Sequence, residues 1–160
     1  MSLIQLDTIT IQESKILSWL RDNNLTNHMS DFVERPDAHN RFVSGIMGWQ
    51  WEDEFATLCE LRGFSCSKPK LDTQFDWVVN SKLVQCKFSM STRSVDIRNK
   101  DKTFNRRYRP DAFDYMAIKS NNDVYVVPIN LLLDSTLTQT KQSVKIEDIA
   151  GFKDNYEVFQ

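Results

Sequence analysis

Gln74-Phe75-Asp76-Trp77-Val78-Val79, followed by Leu83-Val84-Gln85-Cys86-Lys87-Phe88, is the stretch whose reading decides the fold. Two short apolar runs flank Asn80-Ser81, a link short enough for a β-hairpin. Side chains on a strand alternate between faces, so Leu83, Gln85 and Lys87 share one face and Val84, Cys86 and Phe88 the other. Asp76 is a lone acid in the first run, and polar groups in apolar strands cost burial energy unless they are paired or bind something. In a hairpin, Asp76 and the Gln85–Lys87 face can converge. A carboxylate, an amide oxygen, a main-chain carbonyl and an ammonium meeting there suit a hard divalent cation beside an activated water. The competing structural reading has Asp76 bridging to Lys87, with Gln85 an exposed strand residue.

Upstream of this hairpin the apolar period is helical. Thr10 and Glu13 form a capping box for a helix over residues 10–23, with Ile16, Leu17 and Leu20 as its stripe. A short helical piece over 26–34 ends at Arg35-Pro36. Residues 40–62 read as one long helix or two joined ones. Phe42, Val43, Ile46 and Trp49 form a stripe there, continued by Phe55, Ala56 and Cys59, and Gly63 is the stop. Downstream the period is two. Residues 64–67, 75–79 and 82–90 are strand candidates, and 113–119 with 124–129 form a further pair. Leu131–Leu133 starts a helix, and 144–160 is a short helix followed by an extended end. The fold class is α/β (α+β), a mixed central sheet flanked by helices.

Composition bounds the function. The chain has 160 residues, 20 Lys+Arg, 22 Asp+Glu and a net charge of −2, the balance of one globular domain. Its longest apolar runs are too short to span a bilayer, and the N-terminus has no basic head or apolar stretch of a signal peptide. An odd set of cysteines, Cys59, Cys66 and Cys86, argues for a reducing cytoplasm rather than a disulfide framework. His28 and His39 lie far from the cysteines, against a structural zinc site. No Ser sits in a nucleophile elbow, and the four glycines are scattered, so a serine hydrolase and a glycine-rich phosphate loop are both rejected. The charge is uneven: residues 1–60 hold four bases and ten acids, whereas 82–109 hold nine bases and two acids, a local +7. Such a block usually marks a phosphate-rich partner, the alternative being a solvated loop.

Asp76 followed by Gln85-Cys86-Lys87 on the next strand resembles the PD-(D/E)XK nuclease superfamily. In that family an upstream helix usually supplies a Glu eleven residues before the Gly that precedes the first strand, which here is Glu52 before Gly63; Glu54 is the runner-up. Gly63-Phe64, Lys68-Pro69, Arg107-Tyr108, Phe113-Asp114-Tyr115-Met116-Ala117 and Val124-Tyr125-Val126-Val127-Pro128-Ile129 extend the resemblance to the branch of small intron-encoded, cyanobacterial-type homing endonucleases, which also place Gln before the Lys. The resemblance covers about residues 47–131. It implies a restriction-endonuclease-like core over 41–131 with a helical extension over 1–40 and a C-terminal helix or tail over 132–160, one nuclease domain in all. It further implies catalytic Glu52, Asp76, Gln85 and Lys87, with Mg²⁺ held by Glu52, Asp76, Gln85 and the Cys86 carbonyl and Mn²⁺ as a substitute. Gln85 departs from the usual carboxylate, which makes Glu52 matter more.

The basic block then has a role. Arg93, Arg98, Lys100, Lys102, Arg106, Arg107, Tyr108 and Arg109 follow the candidate catalytic strand directly and are expected to contact double-stranded DNA, the cations by neutralising phosphates and Tyr108 by stacking or packing among them. Asp114 is expected to anchor a loop through main-chain hydrogen bonds rather than to bind metal. The expected activity is Mg²⁺-dependent DNA cleavage by a homodimer or homotetramer, since cutting both strands needs two sites. The competing readings are a Holliday-junction resolvase, a restriction-type nuclease, an RNA nuclease, and a DNA-binding protein that has kept the fold without activity.

Overall fold

The computed structural model describes residues 18, 21, 22, 24, 36–69, 74–99 and 107–160. The expected helices over 10–23 and 26–34 fall largely outside these residues. The chain forms two compact units, 1–47 and 48–160, and the second carries the hairpin.

Helix α1 runs over Pro36–Leu61 as one helix. It begins four residues before the expected start, because proline in the first turn loses no intrahelical hydrogen bond. It stops where the sequence says. Gly63 has φ +83°; its N–H donates to Glu60 O at 2.9 Å, and the Phe64 N–H donates to Cys59 O at 3.0 Å. This is a Schellman cap, and the left-handed residue it needs is glycine. Trp49, expected in the apolar stripe, is 61% exposed. Phe55, Ala56 and Cys59 are buried as expected, and Trp51 takes the place of Trp49 in the buried stripe of α1 in the second unit.

Five strands form the main sheet in the order β1-β2-β3-β5-β6: β1 Cys66–Ser67, β2 Trp77–Val79, β3 Lys82–Ser89, β5 Tyr115–Ser120 and β6 Asp123–Pro128. β3 and β5 are parallel and the other neighbours antiparallel, so the sheet is mixed. The β2–β3 hairpin turns on Asn80 and Ser81, both at positive φ, as a two-residue loop matching strand twist requires. Asn80 fixes that loop: its Oδ1 accepts the Ser65 N–H at 2.8 Å and its Nδ2 donates to Phe159 O at 2.7 Å.

The two faces of the sheet carry separate cores, as the alternation along β3 requires. Val84 and Cys86 pack with Trp51, Phe55 and Cys59 of α1. Leu83 packs with Met116, Ile118 and Phe113 on the other face. That second face is covered by a two-stranded ribbon, β4 (Ser94–Asp96) with β7 (Ser143–Lys145). Part of the basic block is therefore strand, and its Val95 and Ile97 are fully buried. After β7 come a four-residue helix α2 (Ile146–Ile149) and two 3₁₀ turns, Ala150–Phe152 and Tyr156–Phe159. Another 3₁₀ turn over Ile129–Leu132 stands where a helix start was expected. The last turn is no loose tail. Phe159 is 1% exposed and meets Phe55, Phe64 and Tyr115 ring to ring at 5.6–6.2 Å. Among the described residues no helix is long and apolar enough to cross a membrane.

Candidate active site

The site is built where the hairpin strands part. β2 pairs with β3 only from Lys82 to Val84, while β3 runs on to Ser89. The last ladder bond on this side is the Asp76 N–H to Val84 O at 2.9 Å. Beyond it the Cys86 main chain, pointing toward β2 like that of Val84, loses its strand partner. The Asp76 carboxylate replaces it, Oδ2 accepting the Cys86 N–H at 2.9 Å. On a strand a residue's N–H and C=O point the same way, so the Cys86 carbonyl also opens into this fork. Gln85 Nε2 approaches that oxygen at 3.4 Å, a long and weak contact.

Two indoles hold the helix against the fork. Trp51 Nε1 donates to Ala117 O on β5 at 3.1 Å, and Trp77 Nε1 donates to Glu52 O at 2.9 Å. The turn of α1 that carries Glu52 is thus tied to the strand that Asp76 leads. The Cys86 thiol registers the result: burial first, then the charges of Asp76 and Glu52, push its pKa well above the usual thiol value. Both carboxylates thus lie within electrostatic reach of this thiol. Glu54, the runner-up to Glu52, is engaged elsewhere, pairing with Lys119 Nζ at 2.6 Å.

Gln85 and Lys87 leave β3 on the face opposite Cys86. Lys87 Nζ donates to Arg98 O at 2.8 Å and lies 5.5 Å from the Tyr108 ring centroid. Glu52 belongs to the helix on the Cys86 face. The structure thus places Asp76 on the Cys86 main chain and ties the Glu52 turn to Trp77, while Gln85 and Lys87 leave β3 on the opposite face. Any shared centre lies at the fork, where Asp76 precedes β2. Among the described residues no three His, Cys, Asp or Glu side chains are grouped as a metal cage. The Asp76 carboxylate and the Cys86 carbonyl lie at the fork with the Gln85 amide beside them, and Glu52 would add a second carboxylate from the helix turn tied to Trp77, all hard oxygen ligands. That chemistry fits Mg²⁺ or Mn²⁺ and does not fit a thiolate-bound ion.

The basic block divides. Arg93 is exposed. Arg98 is paired with Asp96 at 2.7 Å, Arg107 with Asp134 at 3.2 Å, and Arg109 with Asp111 at 3.4 Å. Arg107 is largely enclosed, and its partner Asp134 also accepts from Thr136 and Gln139, so this arginine serves the fold. Tyr108 corrects the expectation of a stacking residue. It is 2% exposed, T-shaped against Phe113 at 5.1 Å, and its N–H donates to Thr140 Oγ1 at 3.0 Å. A lone tyrosine in a basic run is indistinguishable in sequence from one in a core. Lys100, Lys102 and Arg106 lie outside the described residues. Asp114 is an anchor, as expected: Oδ2 accepts the Leu83 N–H, and its own N–H donates to Leu83 O, each at 2.8 Å. The sequence reading missed Asp96; its only sequence signal is its place two residues before Arg98.

The architecture, a mixed five-stranded sheet with the site at a splayed hairpin beside a helix, is a homing-endonuclease-like fold. One solved structure with this fold is a bacterial homing endonuclease, I-Ssp6803I. It superposes with a TM-score of 0.56 at 16% sequence identity, over 72% of this chain and 91% of that one. No protein-family model matches the chain, and no curated protein matches it by sequence.

Proposed function

We propose that the protein is a metal-dependent DNA endonuclease of the homing type, acting on double-stranded DNA as a homodimer or homotetramer. The observation that carries this reading is the fork, where Asp76 is held on the Cys86 N–H and the helix turn bearing Glu52 is tied to Trp77 of the adjoining strand. The shared fold with a bacterial homing endonuclease supports it. Glu52, Asp76, Gln85 and the Cys86 carbonyl would hold Mg²⁺, or Mn²⁺ in its place. Such an ion supplies charge stabilisation at the scissile phosphate and a more acidic bound water. Lys87, steadied by the Arg98 carbonyl, would orient the attacking water through its ammonium. Arg93, Lys100, Lys102, Arg106 and Arg109 would supply affinity for the phosphate backbone.

The test is cleavage of a random duplex library with Mg²⁺, Mn²⁺ or EDTA, with the cut ends sequenced. Recurrent cut sites that need the metal and vanish in Lys87→Ala, with the fold intact by circular dichroism, support the reading. Preferential cutting of four-way DNA over linear duplex replaces the homing reading with a resolvase. Salt-sensitive DNA binding with no cleavage under any metal overturns the enzymatic reading in favour of a DNA-binding protein.

A further inference from the structure

The β4–β7 ribbon sets Ser94 opposite Lys145, Val95 opposite Val144 and Asp96 opposite Ser143. The two valines are buried in the second core, and Ser94, Ser143 and Lys145 are exposed. The result is a two-stranded antiparallel ribbon with a polar outer face, an element of the size that the DNA major groove admits.

Arg98 emerges from the end of β4, and its guanidinium is held fast. Nε donates to Asp96 Oδ1 at 3.1 Å and Oδ2 at 3.2 Å, and Nη2 donates to Oδ2 at 2.7 Å. The same carboxylate accepts the Arg98 main-chain N–H at 3.0 Å. Asp96 thus occupies the Nε side of the fork. The far edge, formed by Nη1 and the second hydrogen of Nη2, makes no hydrogen bond to the described residues, and the side chain is 37% exposed. An arginine already fixed by a carboxylate loses little further freedom on binding. Its free edge offers two parallel N–H groups, the pattern complementary to O6 and N7 of guanine. The Arg98 carbonyl meanwhile accepts Lys87 Nζ at 2.8 Å. The reading arginine and the candidate catalytic lysine are joined by one hydrogen bond.

We infer that Arg98, positioned by Asp96 at the end of the β4–β7 ribbon, reads a guanine in the major groove close to the phosphate that is cut. Arg98 is the specificity-determining residue and Asp96 a positioning residue. The inference rests on the proposed endonuclease function and adds to it the element that selects the site.

The experiment enriches bound duplexes from a random library in EDTA, where nothing is cut, and sequences them for the wild type, Arg98→Ala, Arg98→Lys and Asp96→Ala. The expected wild-type motif contains one invariant G·C pair. In Arg98→Lys that position relaxes toward even use of the four bases while the rest of the motif persists; Asp96→Ala relaxes it in part. Exchanging that G·C for A·T weakens wild-type binding about tenfold or more, and Arg98→Lys binds both duplexes alike. An unchanged motif in Arg98→Lys and Arg98→Ala overturns the inference. So does an equal loss of affinity for every sequence, the behaviour of a phosphate contact. Arg98→Lys keeps the charge opposite Asp96, so it remains informative if Arg98→Ala fails to fold by thermal melting. A wild type that enriches no sequence overturns the proposed function itself, which separates the two failures.

Discussion

The Asp76 carboxylate stands in for a missing strand: Oδ2 takes the Cys86 N–H at 2.9 Å, where β2 no longer can. One side chain therefore closes the backbone ladder and brings negative charge to the fork. Asp76→Asn separates these duties, because an asparagine oxygen can still accept that N–H. The expected outcome is a folded protein whose metal-dependent cleavage falls at least about a hundredfold, the scale on which such groups act. Single-turnover cleavage beside a thermal melt checks it; a variant that cuts like the wild type removes Asp76 from the site.

Asp114 uses its charge for architecture. It holds β3 through paired bonds to Leu83, one from the side chain and one from the main chain. Asp114→Ala leaves the Leu83 N–H to water at this exposed position and should cost about 1 kcal/mol. Cleavage per folded molecule should stay as in the wild type. A urea titration measures the first and an activity assay at low temperature the second.

Phe159 is enclosed by Phe55, Phe64 and Tyr115 one residue from the end of the chain. Phe159→Ala should destabilise the fold by about 3–5 kcal/mol, as large core truncations do. The urea midpoint is the readout. A shift below about 1 kcal/mol would show that the last turn contributes little to the core.

Alkaline pH should weaken the fold. Burial pushes the Cys59 thiol up to about 12 and, as the first cause, the Tyr156 hydroxyl also up to about 12. Both groups are neutral when protonated, and unfolding returns them to about 9 and 10. Above pH 9 the unfolded chain thus holds fewer protons than the folded one, so stability falls as pH rises. This contribution is complete below about pH 9 and is lost progressively toward 12. Urea midpoints at pH 7, 9 and 10.5 should decline in that order, and Cys59→Ala should flatten the decline.

Arg93 is exposed on the approach to the ribbon. Arg93→Ala should weaken binding to all DNA sequences alike and reduce the slope of log affinity against log salt by about 1. Fluorescence anisotropy from low to moderate salt measures that slope; an unchanged slope takes Arg93 off the DNA path.

The strands around the hairpin, the end of α1 at Gly63 and the anchoring by Asp114 were legible in the sequence because each is local. Alternation along β3, a glycine where φ must be positive and a two-residue turn all act over a few neighbouring residues. The same locality separated Val84 and Cys86 from Leu83 and Lys87. What the sequence could not determine depends on contacts between distant segments. Tyr108 reads as one more residue of a basic run until Phe113 and Thr140 enclose it. The final turn reads as a tail until Phe159 is carried into the core. Trp51 rather than Trp49 became the buried tryptophan of α1 because only its indole reaches Ala117. Ser94 to Asp96 became a strand only because residues 143–145 return to pair with them. Burial and strand pairing are paid in closed loops of dozens of residues, and no short window of sequence records where those loops close.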